Sequence, residues 1–211
     1  GRESITAKLT ANLLEKSGVD RVLAMDLHSA QIQGYFDIPC DHIYGSPVLI
    51  DYLETLSLEE VVVVSPDVGG VARARAFAKL MKDAPLAIID KRRSSHNVAE
   101  SLTVIGEVKD KTAILIDDMI DTGGTICSGA NLLKKEGAKR IFACASHAVF
   151  SPPSHERLST KDLFEQVIVT NSIPVFVQDN FPQLKVLSVA NMLGEAIWRI
   201  HEESSVSSMF R

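Results

Sequence analysis

Hydrophobic and polar positions along this chain switch repeatedly between two periods. The four successive valines of residues 61–64 are apolar on both faces of any strand they form, and so is the run 112–116. A strand apolar on both faces must be covered on both faces, the condition of a parallel sheet between helical layers. Further runs at 21–27, 86–90, 102–108, 140–145, 166–170 and 184–189 also read as strands. Between them the period becomes helical. Ile5, Leu9 and Leu13 recur at every fourth position within residues 4–16. Residues 47–56 open on Pro47, which suits a first helical turn, and carry Val48, Leu49, Leu53 and Leu56 as a core face. Residues 71–81, 126–136 and 191–202 complete the main helices, with Gly18 and Gly137 placed to end two of them. Alternating strands and helices predict an α/β fold, a mostly parallel sheet flanked by helices.

Composition narrows the class. The chain has 211 residues, is 45% hydrophobic and carries a net charge of −5. That size can bury a core of one domain or one and a part. An acidic balance argues against a general nucleic-acid binder. No apolar run approaches the roughly 20 residues of a membrane span, and no signal peptide is visible. Cys40, Cys127 and Cys144 are widely spaced and form no metal pattern, so free thiols in an intracellular compartment are expected. The chain opens on Gly1 without a Met, as a fragment or processed form would.

The candidate chemistry lies where strands end. Asp117 and Asp118 follow the run 112–116; then Asp121, Thr122, Gly123, Gly124 and Thr125 form a tight turn into a helix. Strand, glycine turn and helix together aim backbone N–H groups and a positive dipole end at one anion. The two threonines add hydroxyl donors. The acidic pair repels phosphate but suits vicinal sugar hydroxyls or a metal, so the stretch fits a sugar phosphate. A structural turn with exposed acids is the plain alternative. A second strand–turn–helix unit runs through Ser65, Asp67, Gly69 and Gly70 to Arg73 and Arg75. It reads either as a polyphosphate and metal site or as a turn leading into a solvated basic helix face. His28 and His147 each stand at a strand's carboxyl end, where open α/β sheets bind ligands. Residues 91–97 read as a mobile, exposed basic loop. No Gly-x-x-x-x-Gly-Lys-Ser/Thr loop is present, so any ATP is held by another geometry.

The order of acidic pair, Asp121, Thr122, Gly123, Gly124 and Thr125 resembles the ribose-5-phosphate loop of the phosphoribosyltransferase fold. It is most similar to that of the ribose-phosphate diphosphokinases, or PRPP synthetases, of plant and cyanobacterial type. Residues 26–36 around His28 resemble a signature segment of that family, and residues 65–70 its pyrophosphate loop. The resemblance covers essentially the whole chain. It implies ribose 5-phosphate contacts at Asp117, Asp118, Asp121, Thr122, Gly123, Gly124 and Thr125. It implies ATP or diphosphate contacts at His28, Asp67, Gly69, Gly70 and Arg73, with Mg²⁺ held through His28 and Asp67. Lys91 and Arg93 match the family's catalytic pair, although Arg92 between them is acidic in many relatives. Ser205, Ser207 and Phe210 resemble a regulatory phosphate site, with inorganic phosphate as activator.

By the same resemblance, residues 1–46 are the back part of a first phosphoribosyltransferase-like domain. Residues 47–183 are a complete second domain, and residues 184–211 a final strand, helix and tail returning to the first. The family's adenine-binding residues lie in a part this chain lacks. The implied reaction transfers the diphosphoryl group of Mg–ATP to the anomeric hydroxyl of ribose 5-phosphate, giving PRPP and AMP. The implied setting is cytoplasm or plastid stroma, in a hexameric homo-oligomer, with no nucleic-acid or membrane partner. The rivals are a phosphoribosyltransferase that consumes PRPP and a catalytically silent relative that tunes active subunits.

Overall fold

A computed structural model describes residues 5–92, 101–176 and 181–210. In chain order the elements are α1 (Thr6–Lys16), β1 (Val22–Met25), a tight helical turn (Ala30–Tyr35), β2 (Cys40–Ile43), α2 (Ser46–Thr55), β3 (Val61–Ser65), α3 (Val71–Leu80) and β4 (Leu86–Arg92). Then come β5 (Ser101–Ile105), β6 (Thr112–Ile120), α4 (Gly124–Lys135), β7 (Arg140–Ala148), α5 (Ser154–Leu158), β8 (Gln166–Thr170), β9 (Leu184–Leu187), α6 (Ala190–His201) and a last turn (Ser207–Phe210). The chain divides into two compact units, one of Gly1–Gly45 with Val189–Arg211 and one of Ser46–Ser188.

The second unit is built on a seven-stranded sheet of order β5-β4-β3-β6-β7-β8-β9. All its pairings are parallel except β4 with β5. Successive side chains of a strand point to opposite faces, and the buried residues sort accordingly. Val62, Val64, Leu115, Val167 and Val169 pack with Ala130 and Leu133 of α4. Val63, Ile114, Ile116, Phe142 and Ile168 pack with Leu49, Leu53 and Phe77 of α2 and α3. Full burial of each such aliphatic side chain contributes about 1.5–3 kcal/mol, which is why β-branched residues fill both faces of the central strands.

Three boundaries differ from the sequence expectation. β6 runs on to Ile120 because Asp117, Met119 and Ile120 still pair with Ala145, His147 and Ala148 of β7. Asp117 and Asp118 therefore sit inside the strand rather than after it. β4 likewise continues through Lys91 and Arg92, whose backbones find antiparallel partners in Leu102 and Ser101. Lys91 is thus a strand residue, not the start of a loop. β9 pairs with β8, from Val167↔Leu184 to Thr170↔Leu187. The final strand thus belongs to this sheet and does not return with the tail to the first unit.

In the first unit β1 and β2 pair in parallel, from Val22↔Cys40 to Met25↔Ile43. Ile43, Ala196 and Val206 form its small core, with Leu23, Met25, Met192, Leu193 and Phe210 packed against them. The apolar stripe of residues 4–16 faces outward: Ile5, Leu9 and Leu13 are 61%, 52% and 62% exposed. Among the described residues no helix is long and apolar enough to cross a membrane.

Candidate functional site

The site residues of the second unit gather at the carboxyl ends of β3 and β6. Arg73 enters from the first turn of α3, whose Ala74, Phe77 and Ala78 are buried in the core. Its Nη1 stands 3.0 Å from Asp117 Oδ1 and 3.3 Å from Asp118 Oδ1. Asp117 Oδ1 also accepts the backbone N–H of Asp118 at 2.9 Å. Asp118 is buried, with 1% exposure, whereas Asp117 is half-buried. Burial, together with hydrogen bonding to Asp118 and that neighbour's charge, pushes the Asp117 carboxyl up to about 7. The Asp118 N–H and Arg73 pull the other way without cancelling it. The pair thus presents carboxyl acceptors next to a guanidinium.

The turn after β3 is held from inside. Ser65 Oγ donates to the Asp67 carbonyl at 2.6 Å, and the Gly70 N–H donates to Asp67 Oδ1 at 2.8 Å. A Cβ at Gly70 would lie 3.0 Å from Ser65 Oγ, 3.6 Å from Asp67 Oδ1 and 3.9 Å from Arg73 Nη1. Asp67 Oδ1 and Arg73 Nη1 thus both lie near Gly70, where a side chain would crowd Ser65 Oγ.

After β6 the chain turns through Gly123, whose φ of 72° is left-handed, and enters α4. A left-handed residue here costs glycine nothing. No side chain caps this helix by a hydrogen bond. Its first-turn N–H groups are therefore available to an anion. Asp121, Thr122 and Thr125 are exposed around the turn. Acceptors for hydroxyls and donors for an anion thus follow one another along a single strand–turn–helix segment.

The remaining expected residues are spread more widely. Lys91 is exposed at the end of β4, and Arg93 lies outside the described residues. His28 is exposed in the first unit, just beyond β1. Its segment is fixed by Asp26 Oδ2 accepting the Gly45 N–H at 2.7 Å and by His42 Nε2 accepting the Leu27 N–H at 3.0 Å. Ser205 and Ser207 are exposed, and Phe210 meets Tyr44 edge-on at 6.1 Å. Arg199 Nη1 donates to the Ser205 carbonyl at 3.1 Å, tying this tail to α6. His147 Nδ1 lies 2.8 Å from Ser172 Oγ. Among the described residues no group of three or more His, Cys, Asp or Glu side chains is gathered to hold a metal.

Sequence reasoning missed Arg157. Its Nη1 donates to the Thr122 carbonyl at 3.0 Å from the short helix α5. No motif spacing flags it, because α5 reaches the turn only through the tertiary fold.

A phosphoribosyl synthetase-associated domain matches residues 92–211. A ribose-phosphate pyrophosphokinase of Prochlorococcus marinus subsp. pastoris is 94% identical over the whole chain, which spans 64% of that protein. A ribose-phosphate pyrophosphokinase 1 of Spinacia oleracea is 64% identical, and the chain spans 63% of it. The solved phosphoribosylpyrophosphate synthetase of Mycobacterium smegmatis superposes with a TM-score of 0.89 at 44% identity, covering 97% of this chain and 66% of that one. The chain therefore spans a little under two thirds of the length of these relatives.

Proposed function

From the premise that the chain belongs to the phosphoribosyl synthetase-associated family, we propose that it carries the ribose 5-phosphate and diphosphate portion of a ribose-phosphate diphosphokinase. The reaction is attack of the anomeric hydroxyl of ribose 5-phosphate on the β-phosphorus of ATP, giving PRPP and AMP. The observation that carries this reading is the succession of an acidic pair, Asp118 buried and Asp117 half-buried, and an uncapped glycine turn, a hydroxyl acceptor followed by an anion donor.

In this reading the first-turn amides of α4 and the hydroxyls of Thr122 and Thr125 hold the 5-phosphate, with Asp121 shaping the turn. Asp117 and Asp118 accept hydrogen bonds from the ribose hydroxyls. The turn from Asp67 to Gly70 and Arg73 receives the diphosphate. Arg73 already faces both carboxylates, so a bound anion would share this guanidinium with them. Lys91 and Arg93 stabilise charge on the group in transfer. Holding the reactants in line supplies most of the acceleration in such transfers.

The donor set fits Mg²⁺, which prefers a carboxylate or two together with substrate phosphates and water. Asp67 would supply a carboxylate to it; His28 is named for the same ion by the family resemblance alone. Bound there, the ion would neutralise charge on the diphosphate. A regulatory phosphate at Ser205, Ser207 and Phe210, a homo-hexamer, and a cytoplasmic or plastid setting complete the proposal by family resemblance.

The test is a product assay on the full-length protein. AMP released from ATP only when ribose 5-phosphate is present supports the reading. Diphosphate released from PRPP plus a nucleobase, with no AMP from the first mixture, overturns it in favour of a phosphoribosyltransferase.

A further inference from the structure

We propose that Arg157 is a positioning residue for the ribose 5-phosphate turn, latching α5 onto the Thr122–Gly124 backbone so that the 5-phosphate meets a preformed, more positive site. This rests on the reading above.

The latch has two contacts. Arg157 Nη1 donates to the Thr122 carbonyl at 3.0 Å. The next residue, Leu158, is fully buried, and a Cβ at Gly123 would lie 3.4 Å from its Cγ. The left-handed Gly123 is therefore supported by an aliphatic side chain, while the carbonyl just before it is held by a guanidinium. Arg157 Nη1 also lies 3.3 Å from where a Cβ of Gly124 would be. The guanidinium thus lies close against the start of α4.

The charge acts as well as the bond. A charged donor makes a shorter, stronger hydrogen bond than a neutral one. It also adds to the positive end of α4 at the position where a phosphate would arrive. The same charge is felt at Cys127, in the first turn of α4, where Arg157 pulls down a thiol that burial pushes up to about 11. The Gly123 carbonyl is held within the helix, accepting the Cys127 N–H at 3.0 Å, whereas the Thr122 carbonyl just before it is held by the Arg157 guanidinium. Without Arg157 the turn would have to be ordered at the expense of ligand binding.

The experiment measures steady-state kinetics of the full-length protein with Arg157→Gln and Arg157→Lys. Arg157→Gln is expected to raise KM for ribose 5-phosphate about tenfold, leave KM for ATP within about twofold, and leave kcat largely intact. Arg157→Lys keeps the charge but loses the fork, and is expected to recover part of that loss. A purely structural role would instead lower the melting temperature and move both KM values together. An unchanged KM for ribose 5-phosphate, or equal changes in both, overturns the inference. If Arg157→Gln does not fold, Arg157→Lys decides it: a selective rise in the ribose 5-phosphate KM supports the latch, and no rise overturns it. Absence of AMP formation by the unmodified protein would remove the functional reading itself, and with it this inference.

Discussion

The carboxylate of Asp117 accepts two donors at once on Oδ1: the Arg73 guanidinium at 3.0 Å and the N–H of Asp118 at 2.9 Å. Two carboxyls brought this close can share one negative charge more easily than hold two. The cation from α3 makes the pair tolerable without making it fully ionic. A sugar bringing hydroxyl donors would favour the ionised form.

The raised Asp117 carboxyl predicts an unusual pH dependence of stability. An unfolded Asp titrates near 3.8 and the folded one at about 7. Between those values the folded protein holds a proton the unfolded chain has released, so stability falls as pH rises from about 4 to about 7. Asp117→Asn should flatten that slope. Denaturant unfolding at a series of pH values checks it; a slope unchanged in the variant would contradict the assignment.

Removing the cation should move the same titration further. Arg73→Gln takes away the guanidinium that pulls the Asp117 carboxyl down, so its midpoint should rise. Carbon-13 NMR of the Asp117 carboxyl in the folded protein reads this directly. A midpoint that falls in the variant would mean the contact does not hold in solution.

Gly123→Ala should damage binding more than folding. The left-handed backbone, φ 72°, costs a side-chain-bearing residue about 1–2 kcal/mol. The new methyl would meet Leu158 at an ordinary contact distance of 3.4 Å. The loss of stability should stay near that figure by denaturant titration, while ribose 5-phosphate affinity falls by tenfold or more as the turn re-forms with its amides turned away. Equal, small losses in both would argue that the turn does not contact the phosphate.

Lys91→Ala should leave the fold intact, because Lys91 contributes its backbone to the pairing with Leu102 and its side chain is exposed. Turnover should nonetheless drop by about 10²-fold or more, with ribose 5-phosphate affinity retained. Turnover within a few-fold of the unmodified protein would remove Lys91 from the transferred group.

Much of this was readable in advance because it is local. The valines of β3 and the apolar run of β6 can be buried only between two helical layers, and the structure has that sandwich. The turn at Gly123 follows from a glycine pair between strand and helix. Strand ends were harder, because β4 and β6 extend only as far as β5 and β7 offer hydrogen-bond partners. That is why Lys91, Asp117 and Asp118 were expected outside strands and are found within them. The contacts of Arg73 with the acidic pair and of Arg157 with Thr122 span 44 and 35 residues, and no periodicity encodes such distances. The stripe of Ile5, Leu9 and Leu13 has helical spacing yet is exposed, since spacing reports a face and not what covers it.

The central claim is that one strand–turn–helix segment recognises a phosphorylated pentose, its acids taking the hydroxyls and its turn the phosphate. Titrating isotope-labelled protein with ribose 5-phosphate, and separately with ribose, tests it most directly by following backbone amide resonances. The account predicts saturable shifts at Gly123, Gly124 and Thr125 with ribose 5-phosphate, and far weaker ones with ribose at equal concentration. Shifts of equal size with both sugars, or amides of this turn that do not respond at all, would contradict it.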